Sequence, residues 1–316
     1  MNFQTPLCKQ LNIEVPIIQG GMAWVATAPL AAAVSNAGGL GIVAAGNAPA
    51  EVVEAEIIKA RTLTDKPFGV NIMLLSPFID DVVEVVCRQK VPVVTTGAGN
   101  PGKYMERFKA YGAQVIPVVP SVALAKRMER AGADAVIVEG TEAGGHIGEL
   151  ATMALVPQVV KAVSIPVIAA GGMADGKGLL AGLSLGAQAV QMGTRFVCST
   201  ECEAHDAYKE ALLKAGDRDA IVTARSTGHP VRVLKNKFTK ELLRMEKEGA
   251  SLEEIEQLGT GRLRIAVQDG DMENGSVMSG QIAGLLDNIL PCATIIEQIM
   301  TEAAAQLLHL NALKGE

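Results

Sequence analysis

Residues 16–196 repeat one pattern of hydrophobic and polar positions. A short run rich in Val and Ile ends in glycine or a small polar residue, and an Ala-rich amphipathic segment follows it. Eight such runs begin at positions 16, 39, 67, 91, 113, 134, 165 and 188. Each interval leaves room for a strand of about five residues, a helix of about ten and two loops.

The composition of these runs predicts how the strands pair. Each run is apolar almost throughout, which is typical of strands buried on both faces and therefore of a parallel sheet. Eight consecutive strand–helix units in about 200 residues match the count and size of a (β/α)8 TIM barrel. A doubly wound open sheet is the alternative. We predict an α/β fold and assign the barrel to residues 1–204.

The regular pattern stops after Phe196. Residues 205–260 are rich in charge and largely helical in period, and Gly-rich loops with a helix follow. A final amphipathic helix is predicted near 291–313. We interpret residues 205–290 as a smaller, mostly helical lid region over the barrel mouth. Residues 291–316 are interpreted as a helix that packs back on the barrel.

Composition and charge exclude several classes of protein. Apolar residues make up 49% and aromatic residues 3% of the 316 residues, which suits Val- and Ala-rich α/β packing. The net charge of −6 gives no general attraction to nucleic acid or membrane surfaces. No apolar run has the length of a membrane span, and the N-terminus lacks the pattern of a secretion signal. We therefore expect a cytoplasmic protein.

The five cysteines are scattered along the chain. Only Cys198 and Cys202 are close together, and no second pair completes a metal site. Free thiols in a reducing compartment are the simplest interpretation, and no metal site is predicted.

A glycine-rich motif follows the fourth strand. GAGNPG, residues 97–102, matches the G-x-G-x-x-G spacing of dinucleotide-binding loops. In those loops an acidic residue about 20 positions later ends the next strand and binds the ribose. Here that strand reads VIPVVPSVAL and has no carboxylate. An ordinary barrel loop is therefore predicted at this position.

The ends of the seventh and eighth strands predict a phosphate site. Active sites of TIM barrels lie at the C-terminal ends of the strands, and phosphate often binds beyond strands seven and eight. There Gly171, Gly172 and Gly193 leave backbone N–H groups accessible, and Thr194 adds a hydroxyl. A helix that begins near Asp175 adds its positive end. Tight turns without a ligand are the alternative.

Other strand ends carry small or polar residues that suit the edge of a flat ring. The glycine pair of QGGM, residues 19–22, lets a planar ring lie against the backbone. The residues at these strand ends are Gly20, Gly21, Met22, Asn71, Thr95, Glu139 and Gln191. Together they suggest FMN, with its isoalloxazine edge at the polar groups and its phosphate at the glycine turns. Each group alone is also explained as an ordinary strand-end residue.

One histidine lies among glycines just past the sixth strand. VEGTEAGGHIGEL, residues 138–150, contains His146, whose ordinary pKa of about 6.5 suits proton exchange near neutrality. The flanking glycines predict a flexible loop. We interpret His146 as a catalytic donor, and a solvent-exposed loop imidazole is the alternative. His229 is a weaker candidate for contact with a nucleotide.

Several long segments resemble those of a known enzyme family. IIQGGMAWVA, PFGVNIMLLSPF, VVTTGAGNP, GADAVIVEGTEAGGHIG, PVIAAGGMADG and GSVMSGQIAGL are similar to segments of the FMN-dependent enoyl-acyl-carrier-protein reductases, enoyl reductase II type. These enzymes belong to the broader nitronate monooxygenase-like superfamily. The resemblance extends from about residue 10 to 285, and the N-terminal block favours the reductase branch.

The resemblance implies an activity, cofactors and partners. The activity is NAD(P)H-dependent, FMN-mediated reduction of the trans-2 double bond of enoyl thioesters on acyl carrier protein, in fatty acid synthesis. NADH or NADPH is the implied co-substrate, and a homodimer and stimulation by a monovalent cation are implied as well. His146 matches the active-site histidine. The residues that match the FMN site are Gly20–Met22, Asn71, Glu139, Gly171–Gly172 and Gly193–Thr194.

Other functions stay open beside this one. A nitronate monooxygenase uses the same cofactor with oxygen and needs no nicotinamide. A non-catalytic flavin-binding protein is the third possibility, since a fold does not fix a function.

A basic run, VRVLKNKFTK, interrupts the acidic background. It contains Arg232, Lys235, Lys237 and Lys240 and no acidic residue. A solvated helix face is the ordinary interpretation of such a run. Because acyl carrier proteins are acidic, a docking rim is the second interpretation.

Overall fold

The eight predicted runs form eight parallel strands in the computed structural model, which describes residues 3–313. The barrel strands are β1 (Ile17–Gln19), β2 (Gly41–Ala44), β3 (Phe68–Met73), β4 (Val93–Gly97), β5 (Gln114–Val119), β6 (Val136–Glu139), β8 (Val167–Ala170) and β9 (Ala189–Met192). A two-residue strand, β7 (Gly145–His146), lies between β6 and β8 in the chain but outside the barrel.

The strands close into a barrel. Their order is β1-β9-β8-β6-β5-β4-β3-β2, and every neighbouring pair is parallel. The two end strands also meet, because the N–H of Gln19 donates to the carbonyl oxygen of Leu40 at 2.9 Å and the N–H of Leu40 donates to Ile17 at 3.0 Å. The predicted (β/α)8 barrel is confirmed, and the open-sheet alternative is wrong.

Helices alternate with these strands around the barrel. They are α1 (Pro6–Leu11), α2 (Ala28–Asn36), α3 (Ala50–Leu63), α4 (Ile79–Arg88), α5 (Gly102–Lys109), α6 (Val122–Arg130), α7 (Thr152–Val160), α8 (Gly176–Ser184) and α9 (Thr194–Val197). In α4, Asp80 and Asp81 lie in the first turn and Arg88 in the last, which suits the helix dipole. Its buried face includes Val82 and Val86, spaced by four residues as helical packing requires.

Alternate strand residues point into the barrel and fill its interior. The interior cluster contains Ile18, Ile42, Val93, Ile116, Ile137 and Ile168. Helix α1 closes the N-terminal end, because its residues Leu7, Cys8 and Leu11 belong to the same cluster. The next inward positions toward the C-terminal ends carry polar side chains, which are Asn71, Thr95, Glu139 and Gln191. The period of two therefore directs these groups into the mouth.

The lid region contains more strand than predicted. Its helices are α10 (Asp206–Leu213), α11 (Lys237–Glu248), α12 (Leu252–Gly259) and α13 (Arg262–Arg264), with a π-helical turn at Ile265–Asp269 and 3-10 turns at Arg225–Thr227 and Gln281–Leu285. Two strands, β10 (Ala220–Thr223) and β11 (Val231–Leu234), form an antiparallel sheet with β7. The helical prediction was wrong over these eight residues, whose β-branched side chains favour strands.

A long helix, α14 (Cys292–Ala312), packs between α2 and α8. Its buried residues include Ile295, Ile299 and Ala303. Gly176, the first residue of α8, touches it so closely that a Cβ there would lie 2.6 Å from the carbonyl oxygen of Ile299. This helix therefore occupies the place of the eighth barrel helix.

The proposed limits at 204/205 and 290/291 stay predictions, and positions 1–2 and 314–316 of those ranges lie outside the described residues. Within residues 3–313, no helix combines the length and apolar character needed to cross a membrane.

Candidate active site

The glycine pair after β1 lies against two polar side chains of the mouth. The N–H of Gly20 donates to the carbonyl oxygen of Met192 at 2.9 Å, which holds the loop on β9. A Cβ at Gly20 would lie 3.2 Å from the Gln191 side chain, and a Cβ at Gly21 would lie 2.6 Å from Cγ of Asn71. Glycine is thus required at position 21, where the loop packs against the Asn71 side chain.

Asn71 and Thr95 face each other on neighbouring strands β3 and β4. The Thr95 hydroxyl donates to the Asn71 side-chain oxygen at 2.9 Å. This bond fixes the orientation of the amide, whose N–H groups then point away from the hydroxyl. Asn71 is half-buried and Thr95 is buried, so the pair presents an amide donor at the mouth.

The turn after β8 has the predicted glycine geometry. Gly171 and Gly172 have φ angles of 90° and 75°, a left-handed conformation that glycine adopts without strain. The Thr152 hydroxyl lies 3.2 Å from the position that a Cβ would take at Gly171, and it donates to the Gly171 carbonyl oxygen at 3.0 Å. Gly172 is exposed at the mouth. The turn can therefore bring backbone N–H groups close to an anion.

The start of α8 already has two carboxylate partners. The Asp175 carboxylate accepts the N–H of Gly178 at 2.8 Å, and the Glu302 carboxylate accepts the N–H of Gly176 at 3.1 Å. Two carboxylates therefore already satisfy this helix end, and a phosphate would compete with them.

The second glycine turn lies beside the first loop. A Cβ at Gly193 would lie 3.3 Å from the sulfur of Met22, so the loops after β1 and β9 are adjacent. Thr194 is buried, and its hydroxyl accepts the N–H of Gly280 at 2.9 Å. Thr194 therefore also anchors a segment of the lid region.

Glu139 ends β6 with an unusual carboxyl group. No hydrogen-bond donor among residues 3–313 contacts its side chain. The side chain is half-buried, and desolvation raises the pKa of Glu139 to about 8. The carboxyl group is thus mostly protonated at neutral pH and can both donate and accept a hydrogen bond.

His146 lies in a strand rather than in a free loop. Strand β7 pairs antiparallel with β11, with His146 opposite Val231. The N–H of Ile147 adds a hydrogen bond to Pro230 at 3.1 Å. The expectation of a flexible glycine loop was wrong, because its partner strand comes from the lid region.

The His146 imidazole is a neutral donor or acceptor near pH 7. Its side chain is exposed, yet surrounding protein and, secondarily, the charge of His229 lower the pKa of His146. The candidate proton donor is therefore within reach of solvent.

A segment of the lid region that includes Met278 joins the two sides of the mouth. The N–H of Gln281 donates to the carbonyl oxygen of Glu142 at 2.9 Å, and the sulfur of Met278 lies 3.3 Å from a Cβ position at Gly145. Residues 278–281 thus contact the His146 strand, while Gly280 also binds Thr194. The short GSVMSGQ stretch gives no periodicity that indicates these contacts.

The lid region also reaches the loop after β1. The guanidinium of Arg264 lies 5.1 Å from the ring centre of Trp24, a cation–π distance. Trp24 has a φ of 65°, which is rare for a bulky residue. The loop that carries Gly20–Met22 is therefore in contact with the lid region.

The basic run does not form one solvated helix face. Arg232 lies on β11 and is buried, and it donates to the carbonyl oxygens of Thr141 at 3.0 Å and Ala220 at 3.1 Å. The remaining lysines of the run are exposed around the start of α11, and they are Lys235, Lys237 and Lys240.

Three observations concern groups outside the mouth. The five cysteines are free, and burial raises the pKa of Cys198, Cys202 and Cys292. Within the described part of the chain, no three His, Cys, Asp or Glu residues are placed to hold a metal ion. A cleft of about 180 Å³ between α10 and β11 is lined by Lys235 of the basic run but by none of the predicted catalytic or FMN-binding residues.

Comparison with known proteins gives matches over nearly the whole chain. The family model described as Nitronate monooxygenase matches residues 4–85 and 76–302. The chain is 37% identical to the (3aS,4S,5R,7aS)-5-hydroxy-7a-methyl-1-oxo-octahydro-1H-indene-4-carboxyl-CoA dehydrogenase of Mycobacterium tuberculosis, with 99% of each chain covered. It is 33% identical to a probable nitronate monooxygenase of Staphylococcus saprophyticus, with 96% of this chain and 98% of the relative covered.

Solved structures are similar over the same extent. FabK from Thermotoga maritima is 52% identical, with a TM-score of 0.96 and coverage of 98% of this chain and 99% of that one. A nitroalkane oxidase from Streptomyces ansochromogenes is 30% identical, with a TM-score of 0.86 and coverage of 97% and 100%. The likeness therefore includes the lid region as well as the barrel.

Proposed function

The chain belongs to the nitronate monooxygenase family of oxidoreductases, and we propose that it is an enoyl reductase within that family. The proposed reaction is reduction of the trans-2 double bond of enoyl thioesters on acyl carrier protein, with FMN as cofactor and NADH or NADPH as reductant. The observation that carries this proposal is the 52% identity to FabK, an enoyl-acyl-carrier-protein reductase II, over almost the entire chain. The nitroalkane oxidase is 30% identical over a similar length.

The donor set at the mouth fits FMN. The left-handed glycines 171 and 172, together with Gly193 and Thr194, offer N–H and hydroxyl groups to a phosphate. A Cβ at Gly21 would overlap the Asn71 side chain and one at Gly20 would crowd Gln191, so the backbone of this loop packs directly against two of the proposed ring-edge groups. The ring-edge groups are the Asn71 amide, the Thr95 hydroxyl, the protonated Glu139 carboxyl and the Gln191 amide.

Bound FMN supplies the hydride chemistry, which protein side chains lack. The chain itself must stabilise the charge that develops on the substrate. When the enoyl group gains hydride at Cβ, negative charge develops on the thioester oxygen and Cα, and a proton is then required at Cα. We assign the donor role to His146, because its neutral imidazole presents one N–H and exchanges protons with solvent.

The test is an anaerobic stopped-flow experiment on the yellow protein. NADH is expected to bleach the flavin absorbance, and crotonyl thioester is expected to restore it. His146→Ala should keep its FMN and its reaction with NADH but slow the reaction with the enoyl thioester by about 100-fold or more, because a positioned proton donor contributes that much. Unaltered turnover of the variant would show that His146 has no part in the reaction.

A second candidate function is nitronate oxidation. It is favoured by the family model, by the Staphylococcus saprophyticus relative and by the nitroalkane oxidase structure. Oxygen-dependent oxidation of propyl nitronate without NADH, together with no reaction with crotonyl thioester, would select this function. The homodimer and the monovalent cation stay predictions, which light scattering and assays in KCl test directly.

A further inference from the structure

We propose that Arg232 is a positioning residue that holds His146 in place relative to Glu139. This inference rests on the role proposed above for His146. Arg232 contacts neither of these side chains in the described structure; it acts on the chain segment that joins them.

The backbone of Arg232 forms the first attachment. β11 is the middle strand of the three-stranded sheet, and Arg232 pairs with Val222 on one side and Gly145 on the other. Gly145 is the residue just before His146 and has a φ of 74°, which glycine adopts without strain, and its pairing with Arg232 fixes its place beside β11.

The side chain of Arg232 forms the second attachment. Its Nε donates to the carbonyl oxygen of Thr141, and one terminal nitrogen donates to Ala220 on β10. Thr141 lies two residues after Glu139 and five before His146. One residue thus binds both ends of the short connection between Glu139 and His146.

The environment of Arg232 makes these bonds important. The residue is 6% exposed, and desolvation lowers the pKa of Arg232, while Glu142 nearby favours its charged form. A buried cation is costly unless its N–H groups are hydrogen-bonded. An apolar β-branched residue would fill a strand position without that cost, so the carbonyl contacts explain why a guanidinium lies here.

Loss of the guanidinium should free the 141–145 connection and leave the flavin residues intact. The glycine turns at 171–172 and 193, and the Asn71–Thr95 pair, make no contact with Arg232 among the hydrogen bonds of residues 3–313. His146 is therefore expected to move relative to the substrate while cofactor binding is preserved. A displacement of about 1 Å at a reacting group typically costs about 100-fold in rate.

The activity test compares two electron acceptors in the FMN-loaded enzyme. Arg232→Met should lower kcat with crotonyl thioester by 10- to 100-fold, and NADH-dependent reduction of ferricyanide, which needs no proton donor, should stay within twofold. Arg232→Lys should recover part of the loss. The matched control is Arg244→Met, because Arg244 lies on α11 of the same lid region but is exposed and pairs with Glu248 of its own helix. An equal fall in rate with crotonyl thioester and with ferricyanide would overturn the inference.

A double variant tests whether Arg232 acts through His146. In a His146→Ala background, Arg232→Met should lower enoyl reduction by less than twofold further, because the group that it positions is already absent. If Arg232→Met lowers enoyl reduction in this background as much as it does when His146 is present, Arg232 acts independently of His146.

Hydrogen exchange keeps this inference separate from the proposed function. In the FMN-loaded protein, Arg232→Met should speed exchange of the peptide spanning 140–148 at least tenfold and leave the α14 peptides unchanged. Unchanged exchange at 140–148 would overturn the positioning role. A wild-type protein that does not reduce enoyl thioesters, but whose variant shows the faster exchange, would overturn only the proposed function.

Discussion

The pKa values of two candidate site residues, Glu139 and His146, differ from those of the same side chains in water. No donor among residues 3–313 contacts the Glu139 carboxyl, and burial raises its pKa to about 8, while the pKa of His146 is lowered by desolvation and by His229. Both groups are therefore largely neutral near pH 7. Two neutral groups at the mouth suit hydrogen bonding to a ring edge and to a thioester better than two fixed charges would.

The raised pKa of Glu139 predicts a pH dependence of stability in flavin-free protein. Between pH 4.5, its ordinary pKa, and about pH 8, the folded state holds a proton that the unfolded state has lost. The free energy of unfolding should therefore fall as pH rises through this range. Glu139→Gln removes this pH-dependent contribution. The free energy of unfolding, measured with urea, should therefore fall between pH 5 and pH 8 by about 3 kcal/mol less in the variant than in the wild type. Parallel pH curves would contradict the raised pKa.

At the scale of elements, α14 completes the ring of barrel helices from the far end of the chain. Its contact with the start of α8 depends on Gly176, since a Cβ there would lie 2.6 Å from the Ile299 carbonyl oxygen. The same helix supplies Glu302 to the N–H of Gly176. Two elements separated by more than one hundred residues thus meet at a glycine.

Gly176→Ala is expected to lower the free energy of unfolding by about 1–3 kcal/mol, because overpacking against backbone forces α14 to shift. Gly259→Ala in α12 is the matched control, since a Cβ there meets nothing within 4 Å. It should change the free energy of unfolding by no more than about 0.5 kcal/mol, as is usual for a substitution away from the core. Thermal and urea unfolding of both variants check this pair, and equal stability of the two would contradict the packing argument.

The barrel strands could be predicted from sequence, and the lid sheet could not. Each barrel strand is an apolar run of local sequence, as in VPVVTTGAG around β4. Strand β7 has only two residues, Gly145 and His146, and exists because β11 pairs with it through Arg232 and Val231, which come much later in the chain. Non-local pairing of that kind leaves no local period. Arg232 was misassigned to a solvated face for the same reason.

At the scale of the whole molecule, the acidic chain carries three exposed lysines around the start of α11. Lys237→Glu with Lys240→Glu should raise KM for an acyl-carrier-bound enoyl substrate by about tenfold and spare the coenzyme A thioester, because charge complementarity steers an acidic carrier. Arg61→Glu with Lys66→Glu, placed before β3 at the opposite end of the barrel, is the control. Equal effects of the first pair on both substrates would argue against a docking surface.

The sequence by itself determined the barrel, the inward polar positions and the glycine turns. These features depend on periods of two and 3.6 residues and on the conformational freedom of glycine, which are local properties. Only the tertiary structure decided that α8 is capped by Asp175 and Glu302, that α14 fills the eighth helix position, and that β11 and Arg232 hold His146. Those arrangements come from contacts between segments distant in the chain, and their free energy depends on geometry that no short stretch of sequence contains.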